Sequence, residues 1–67
     1  MPHYYNKKMY QVRQLNAYTQ EYTWLCTLDD GMVCFTNTLL PYTFPSLETA
    51  QAAITALAED DLEVVKA

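Results

Sequence analysis

Hydrophobic and polar residues alternate along this chain in two rhythms, and each rhythm predicts an element. Leu47, Ala50, Ile54 and Leu57 recur at steps of three, four and three, which puts them on one face of an α-helix. Ala53 and Ala58 widen that stripe, while Glu48, Gln51, Thr55 and Glu59 face away. Ser46 is suited to cap the helix, because its hydroxyl can accept from an unpaired first-turn amide, and Glu48 lies near the positive end of the helix dipole. A reciprocal capping box wants Glu or Gln at 49; the chain has Thr49, so the box is expected to be incomplete. The helix, about fourteen residues long, is predicted to end near Glu59 or Asp60, since further acids at its C-terminus oppose the dipole.

The second rhythm has a period of two. Lys8 to Leu15 places Tyr10 and Val12 on one face and Gln11 and Arg13 on the other, and predicts a first strand between Lys7 and Asn16. Asn16 to Gln20 is a polar connection. Tyr22, Trp24, Cys26 and Leu28 then alternate with Glu21, Thr23, Leu25 and Thr27, and after Asp30-Gly31 the run Met32 to Thr36 resumes. Asp-Gly between alternating runs marks a hairpin, because a type I′ turn needs positive φ at both central positions. With Asp30-Gly31 as the loop, Leu28 faces Val33 and Cys26 faces Phe35, which makes one apolar face. A three-residue loop over Asp29, Asp30 and Gly31 pairs Cys26 with Cys34 and sets Val33 against Thr27, so the two-residue register is favoured.

Pro41 stops Asn37 to Thr43 from continuing as a central strand, and this stretch is expected to cross over and carry Leu39 and Leu40 under the helix. Leu62 to Lys66 reads as a short last strand with Leu62 and Val64 inward. The order is β-β-β-α-β: an α+β fold, a small antiparallel sheet with one helix packed on one face.

The chain has 67 residues, which bounds it to one small domain near the lower limit for a self-sufficient core, with residues 1–6 expected as a frayed arm. Half of the residues are hydrophobic, too many for disorder, and no run reaches the ~20 apolar residues of a membrane span. No apolar stretch follows the N-terminal lysines as a secretory signal requires, so the cytoplasm is the expected compartment. The net charge of −4 is segregated: residues 1–20 carry Lys7, Lys8 and Arg13 without an acid, whereas residues 21–67 hold all eight acids and only Lys66. That balance argues against the basic stripe of a nucleic-acid binder.

Candidate chemistry is sparse. Cys26 and Cys34 flank a tight hairpin and are expected to be reduced, since a bridge between them needs the disfavoured register and an oxidising compartment. With only His3 to join them they do not form a zinc set. His3 sits in the arm, where nothing orients it as a base. Asp29 and Asp30 are accounted for by turn chemistry, and Glu59, Asp60, Asp61 and Glu63 by a solvated helix end that can also present a negative patch to a basic groove. No calcium-loop pattern, nucleophile elbow or Gly-rich phosphate loop is present, and there is a single glycine. No enzyme activity, cofactor or metal is expected.

The aromatic residues change the picture most. Nine large rings in so short a chain exceed what a small core can hide. Phe35, Phe44 and Trp24 fit the face expected under the helix; tyrosines left outside near Lys7, Lys8 and Arg13 have the composition of a binding face, because Tyr, Trp and Arg dominate interface hot spots. The candidate partner-binding residues are Tyr10, Tyr18 and Tyr22 as tyrosines of the open sheet face, the nearby Arg13, and Glu59, Asp60, Asp61 and Glu63 at the acidic end. Pairing of two copies through an exposed strand edge is also expected.

Val33 to Asn37, then Tyr42-Thr43-Phe44-Pro45-Ser46-Leu47-Glu48-Thr49-Ala50-Gln51-Ala52-Ala53-Ile54, then Leu62-Glu63-Val64-Val65, resemble a pattern in short accessory proteins of phages, prophages and plasmids of Gram-positive bacteria. In these a strand ending in Phe-Thr leads to a Phe followed by Ser-Leu-Glu, a helix and a closing strand. The resemblance spans about residues 9–66, departs from the pattern at Thr49, where Glu is usual, and transfers no binding residue. It implies a non-enzymatic inhibitor of host defence, anti-CRISPR-like, that binds and blocks a host protein complex in the cytoplasm of a bacterial cell. Two alternatives stand beside it: a homo-oligomer binding a small ligand or nucleotide as a sponge, and a single-stranded nucleic-acid binder using Lys7, Lys8, Arg13 and the tyrosines.

Overall fold

The computed structural model describes residues 9–67; the expected arm over residues 1–6, together with Lys7 and Lys8, lies outside them. Four strands and one helix follow in the order β1 (Tyr10–Asn16), β2 (Glu21–Thr27), β3 (Val33–Thr36), α1 (Leu47–Leu57) and β4 (Leu62–Lys66). The strands form one antiparallel sheet in the order β3-β2-β1-β4, with the helix packed on one face, so the α+β architecture read from the sequence is the one adopted.

The β1–β2 turn is set by Asn16, whose Oδ1 accepts from the amides of Tyr18 (2.9 Å) and Thr19 (3.2 Å), while Gln20 closes the turn at φ 61°. The next hairpin departs from expectation. Cys26 pairs with Cys34, Leu25 with Phe35 and Thr27 with Val33, which is the three-residue loop over Asp29, Asp30 and Gly31. The Leu28 amide donates to the Met32 carbonyl (2.7 Å) and the Gly31 amide to the Leu28 carbonyl (2.9 Å), with Gly31 at φ 87°. This is a turn closed by a left-handed glycine, and Asp30 Oδ1 supports it by accepting from the Met32 amide (3.0 Å). One left-handed glycine suffices here, whereas a type I′ turn would have forced Asp30 to positive φ as well.

The register reverses the faces of β2. Leu25, not Trp24, points to the helix, and Val12, Leu25, Phe44 and Ala50 form the buried core, with Tyr10, Phe35, Ala53, Ile54, Leu57, Leu62 and Val64 packed around it. Trp24, expected beneath the helix, stands on the opposite face. Leu62 and Val64 turn inward as the alternation of β4 indicates.

The connection after β3 also differs. Leu39 and Leu40 do not reach the helix: Leu40 is 91% exposed, and the Leu39 carbonyl lies 3.8 Å from the Cys26 Sγ, on the face away from the helix. β1 and β2 pair only from Arg13↔Trp24 to Asn16↔Glu21; beyond that they part, and residues 42–44 fill the fork. There the Tyr42 amide donates to the Leu25 carbonyl (2.9 Å), and Tyr10 and Phe44 exchange two hydrogen bonds (3.0 and 2.7 Å). The helix then starts on the other face. Filling the fork satisfies backbone groups that would otherwise be stranded at the buried centre of the sheet.

The helix is three residues shorter than the pattern suggested, because Ala58 turns left-handed (φ 53°) and donates its amide to the Ile54 carbonyl. Leu47 is half exposed, so the buried stripe begins at Ala50. The capping box is complete after all: Ser46 Oγ accepts from the Thr49 amide (3.2 Å) and Thr49 Oγ1 from the Ser46 amide (3.3 Å), a short hydroxyl standing in for the usual carboxylate. Among the described residues, no helix is long and apolar enough to cross a membrane.

Candidate functional site

The face of the sheet away from the helix carries a row of side chains across three strands. Arg13 on β1 sits beside Trp24 on β2 and Glu63 on β4, each its direct cross-strand neighbour. The guanidinium lies 3.7 Å from the centre of the Tyr22 ring and 5.8 Å from that of Trp24. Its Nε donates to Glu63 Oε1 at 2.8 Å. That hydrogen bond raises the Arg13 pKa further, with the Glu63 charge adding to it and desolvation opposing it. Arg13 is thus held by a carboxylate on one side and by the electron-rich faces of two rings on the other. Its side chain is 25% exposed, so the row is fixed in place yet accessible from outside.

Of the residues picked from the sequence, the fold brings Arg13, Tyr22 and Glu63 together and scatters the others. Tyr10 is not on this face: it points to the helix side and packs on the core, because it shares the parity of Val12. Tyr18 stands at the tip of the β1–β2 turn, 98% exposed and remote from the row. Glu59, Asp60 and Asp61 form the turn between α1 and β4. Glu59 Oε1 and the Asp60 carbonyl both accept from Gln14 Nε2 (3.1 and 3.2 Å), and the Asp61 carbonyl accepts from the Leu15 amide (3.1 Å). These acids anchor the turn to β1 and leave their charge at the edge of the molecule. Trp24 is the member of the site that the sequence reading missed. The clue lay in Asp29, which extends the hairpin loop by one residue and so turns Trp24 outward.

The cysteines also lie on this face, directly opposed on β2 and β3, and both are free. Cys26 is 1% exposed beneath the Leu39 connection, and burial pushes its thiol pKa up. Cys34 is half-buried. Among the described residues, no cluster of His, Cys, Asp and Glu could hold a metal ion.

On the helix side, α1 packs over β1 and β4 and leaves the β2–β3 end uncovered. An apolar groove of about 310 Å³ opens there between Leu25, Val33, Tyr42, Phe44, Ala53 and Leu57. Among the described residues, the side chains that line it are uncharged. No family, curated protein or solved structure compared with this chain matches it.

Proposed function

We propose that this protein is a small, non-enzymatic binding module that acts by covering a surface of a partner protein, with the Arg13 row as the centre of contact. The observation that carries the reading is the ordered arginine between Tyr22, Trp24 and Glu63 on the sheet face away from the helix. Arg, Trp and Tyr are the residue types that supply most interface energy, and a side chain already fixed loses less conformational freedom on binding. Glu59, Asp60, Asp61 and Glu63 lie towards the β4 edge and suit a partner with a basic margin, which steers association. The more specific form, a phage or mobile-element inhibitor of a host defence complex working in the bacterial cytoplasm, rests on the resemblance of residues 33–37, 42–54 and 62–65 alone.

The test compares wild type with Arg13→Ala and Trp24→Ala, each first checked for an intact fold by circular dichroism. Immobilised wild type is expected to retain a defined bacterial protein that both variants lose, and wild type alone is expected to protect a plasmid from a nuclease-based defence system. Equal retention by all three proteins would remove the Arg13 row as the contact centre. Retention without plasmid protection would remove the inhibitor form and leave the binding module.

A further inference from the structure

The edges of the sheet differ. β4 carries Glu63 and Lys66 and follows an acidic turn, the kind of charged guard that keeps edge strands from pairing. β3, Val33-Cys34-Phe35-Thr36, carries no charge. In its register with β2, the Leu28–Met32 bond makes Cys26↔Cys34 and Trp24↔Thr36 the hydrogen-bonded pairs. Val33 and Phe35 therefore direct their N–H and C=O groups away from β2. No described residue bonds to them. The side chains of the same two residues point to the helix side, where Val33 walls the apolar groove.

We propose that a second copy of this chain occupies this edge, with β3 pairing antiparallel to its own counterpart about a two-fold axis through Cys34. The inference is independent of the Arg13 row. The register follows from which groups are free. Val33 of one copy exchanges hydrogen bonds with Phe35 of the other and the reverse, so the two Cys34 residues meet as the non-hydrogen-bonded pair on the axis. Their Cα atoms then stand about 4.5 Å apart, within the range a disulfide spans. On the helix side, the two grooves join into one apolar trough closed by Val33 and Phe35 of both copies. Leu28, Met32 and Tyr42, all more than 40% exposed at that end, are positioned to add to the covered area.

Charge permits this contact although each copy carries −4. The acids after the helix lie at the opposite edge of the sheet. Asp30 of one copy falls level with Thr38 of the other, which leaves the two Asp30 carboxylates on the order of 25 Å apart along the ribbon, beyond a Debye length of about 8 Å. Three paired strand residues a side with their apolar margin make a contact of the small, weak class, so association should set in between about micromolar and millimolar concentration.

Sedimentation equilibrium across that range, read together with amide exchange by NMR, tests the proposal. The expected result is a monomer–dimer equilibrium in which the Val33 and Phe35 amides slow by at least about tenfold as concentration rises, while the β4 edge is unchanged. Cys34→Lys, which sets two ammonium groups against each other on the axis, should abolish the dimer. In Cys26→Ala, oxidised glutathione should yield a covalent dimer through Cys34. A monomer at every concentration overturns the proposal, as does a dimer whose Val33 and Phe35 amides exchange as in dilute protein or one that survives Cys34→Lys. Should Cys34→Lys fail to fold, the exchange measurement on wild type decides alone.

Discussion

Truncating Leu25 to alanine removes the branched end of a side chain that is 3% exposed and wedged among Val12, Phe44 and Ala50. Leu→Ala at buried sites costs about 2–5 kcal/mol, the spread depending on how far neighbours close the cavity. Leu25 also borders the groove, so part of its surface already lacks packing neighbours, and a loss near the low end, about 2.5 kcal/mol, is expected. At roughly 0.05–0.15 kcal/mol per residue, a chain of this size has on the order of 5 kcal/mol in total, so the variant forfeits about half of it. The melting temperature should fall by about 10–20 °C, given about 4–8 °C per kcal/mol for small domains. Leu28→Ala is the control: it is the same chemical change three residues away at a side chain 41% exposed, and should cost under about 1 kcal/mol. Urea titrations followed by circular dichroism measure both. If Leu28→Ala costs as much as Leu25→Ala, the faces of β2 have been assigned the wrong way round.

Other outcomes follow from single residues. Gly31→Ala should destabilise by about 1 kcal/mol, through its backbone at φ 87° alone, since an added Cβ would meet no atom within 4 Å; the urea midpoint checks it. Ser46→Ala removes the acceptor for the Thr49 amide and should cost about 1 kcal/mol, read as a lower thermal midpoint. Cys34 should react with a thiol reagent at once, and Cys26 only on unfolding. Because burial raises the Cys26 pKa, the unfolded chain gives up that proton first. Stability should therefore be full below an unfolded thiol value of about 8.5 and decline as pH rises past it, which urea midpoints at neutral and alkaline pH will reveal; a flat profile would contradict the burial.

The elements were legible in the sequence because each is a local matter. The step of three and four from Ala50 to Leu57, the alternation in β1 and β4, and Ser46 before the helix are each specified within a few residues. What was not legible was decided by small differences between competing partners. Leu25 and Trp24 are both apolar neighbours, and only the length of the loop before Gly31 determines which of them enters the core. Thr49 completes the cap because a hydroxyl reaches an amide that a sequence rule assigns to a longer side chain. The Arg13 row was half visible: Tyr22, Arg13 and Glu63 could be picked by residue type, but their meeting depends on the β1–β2 and β1–β4 registers, which join residues as many as fifty positions apart. Tyr10 was misassigned to the site for the converse reason, since counting rings ignores the parity that turns this one inward.

The stitch at residues 42–44 governs how the molecule can come apart. The backbone before it lies against the floor of the sheet and the backbone after it mounts the roof, so lifting the helix tugs on the same few bonds that hold the floor shut. Opening either storey therefore loads the other, and a polypeptide this short is expected to give way along that seam in one cooperative step.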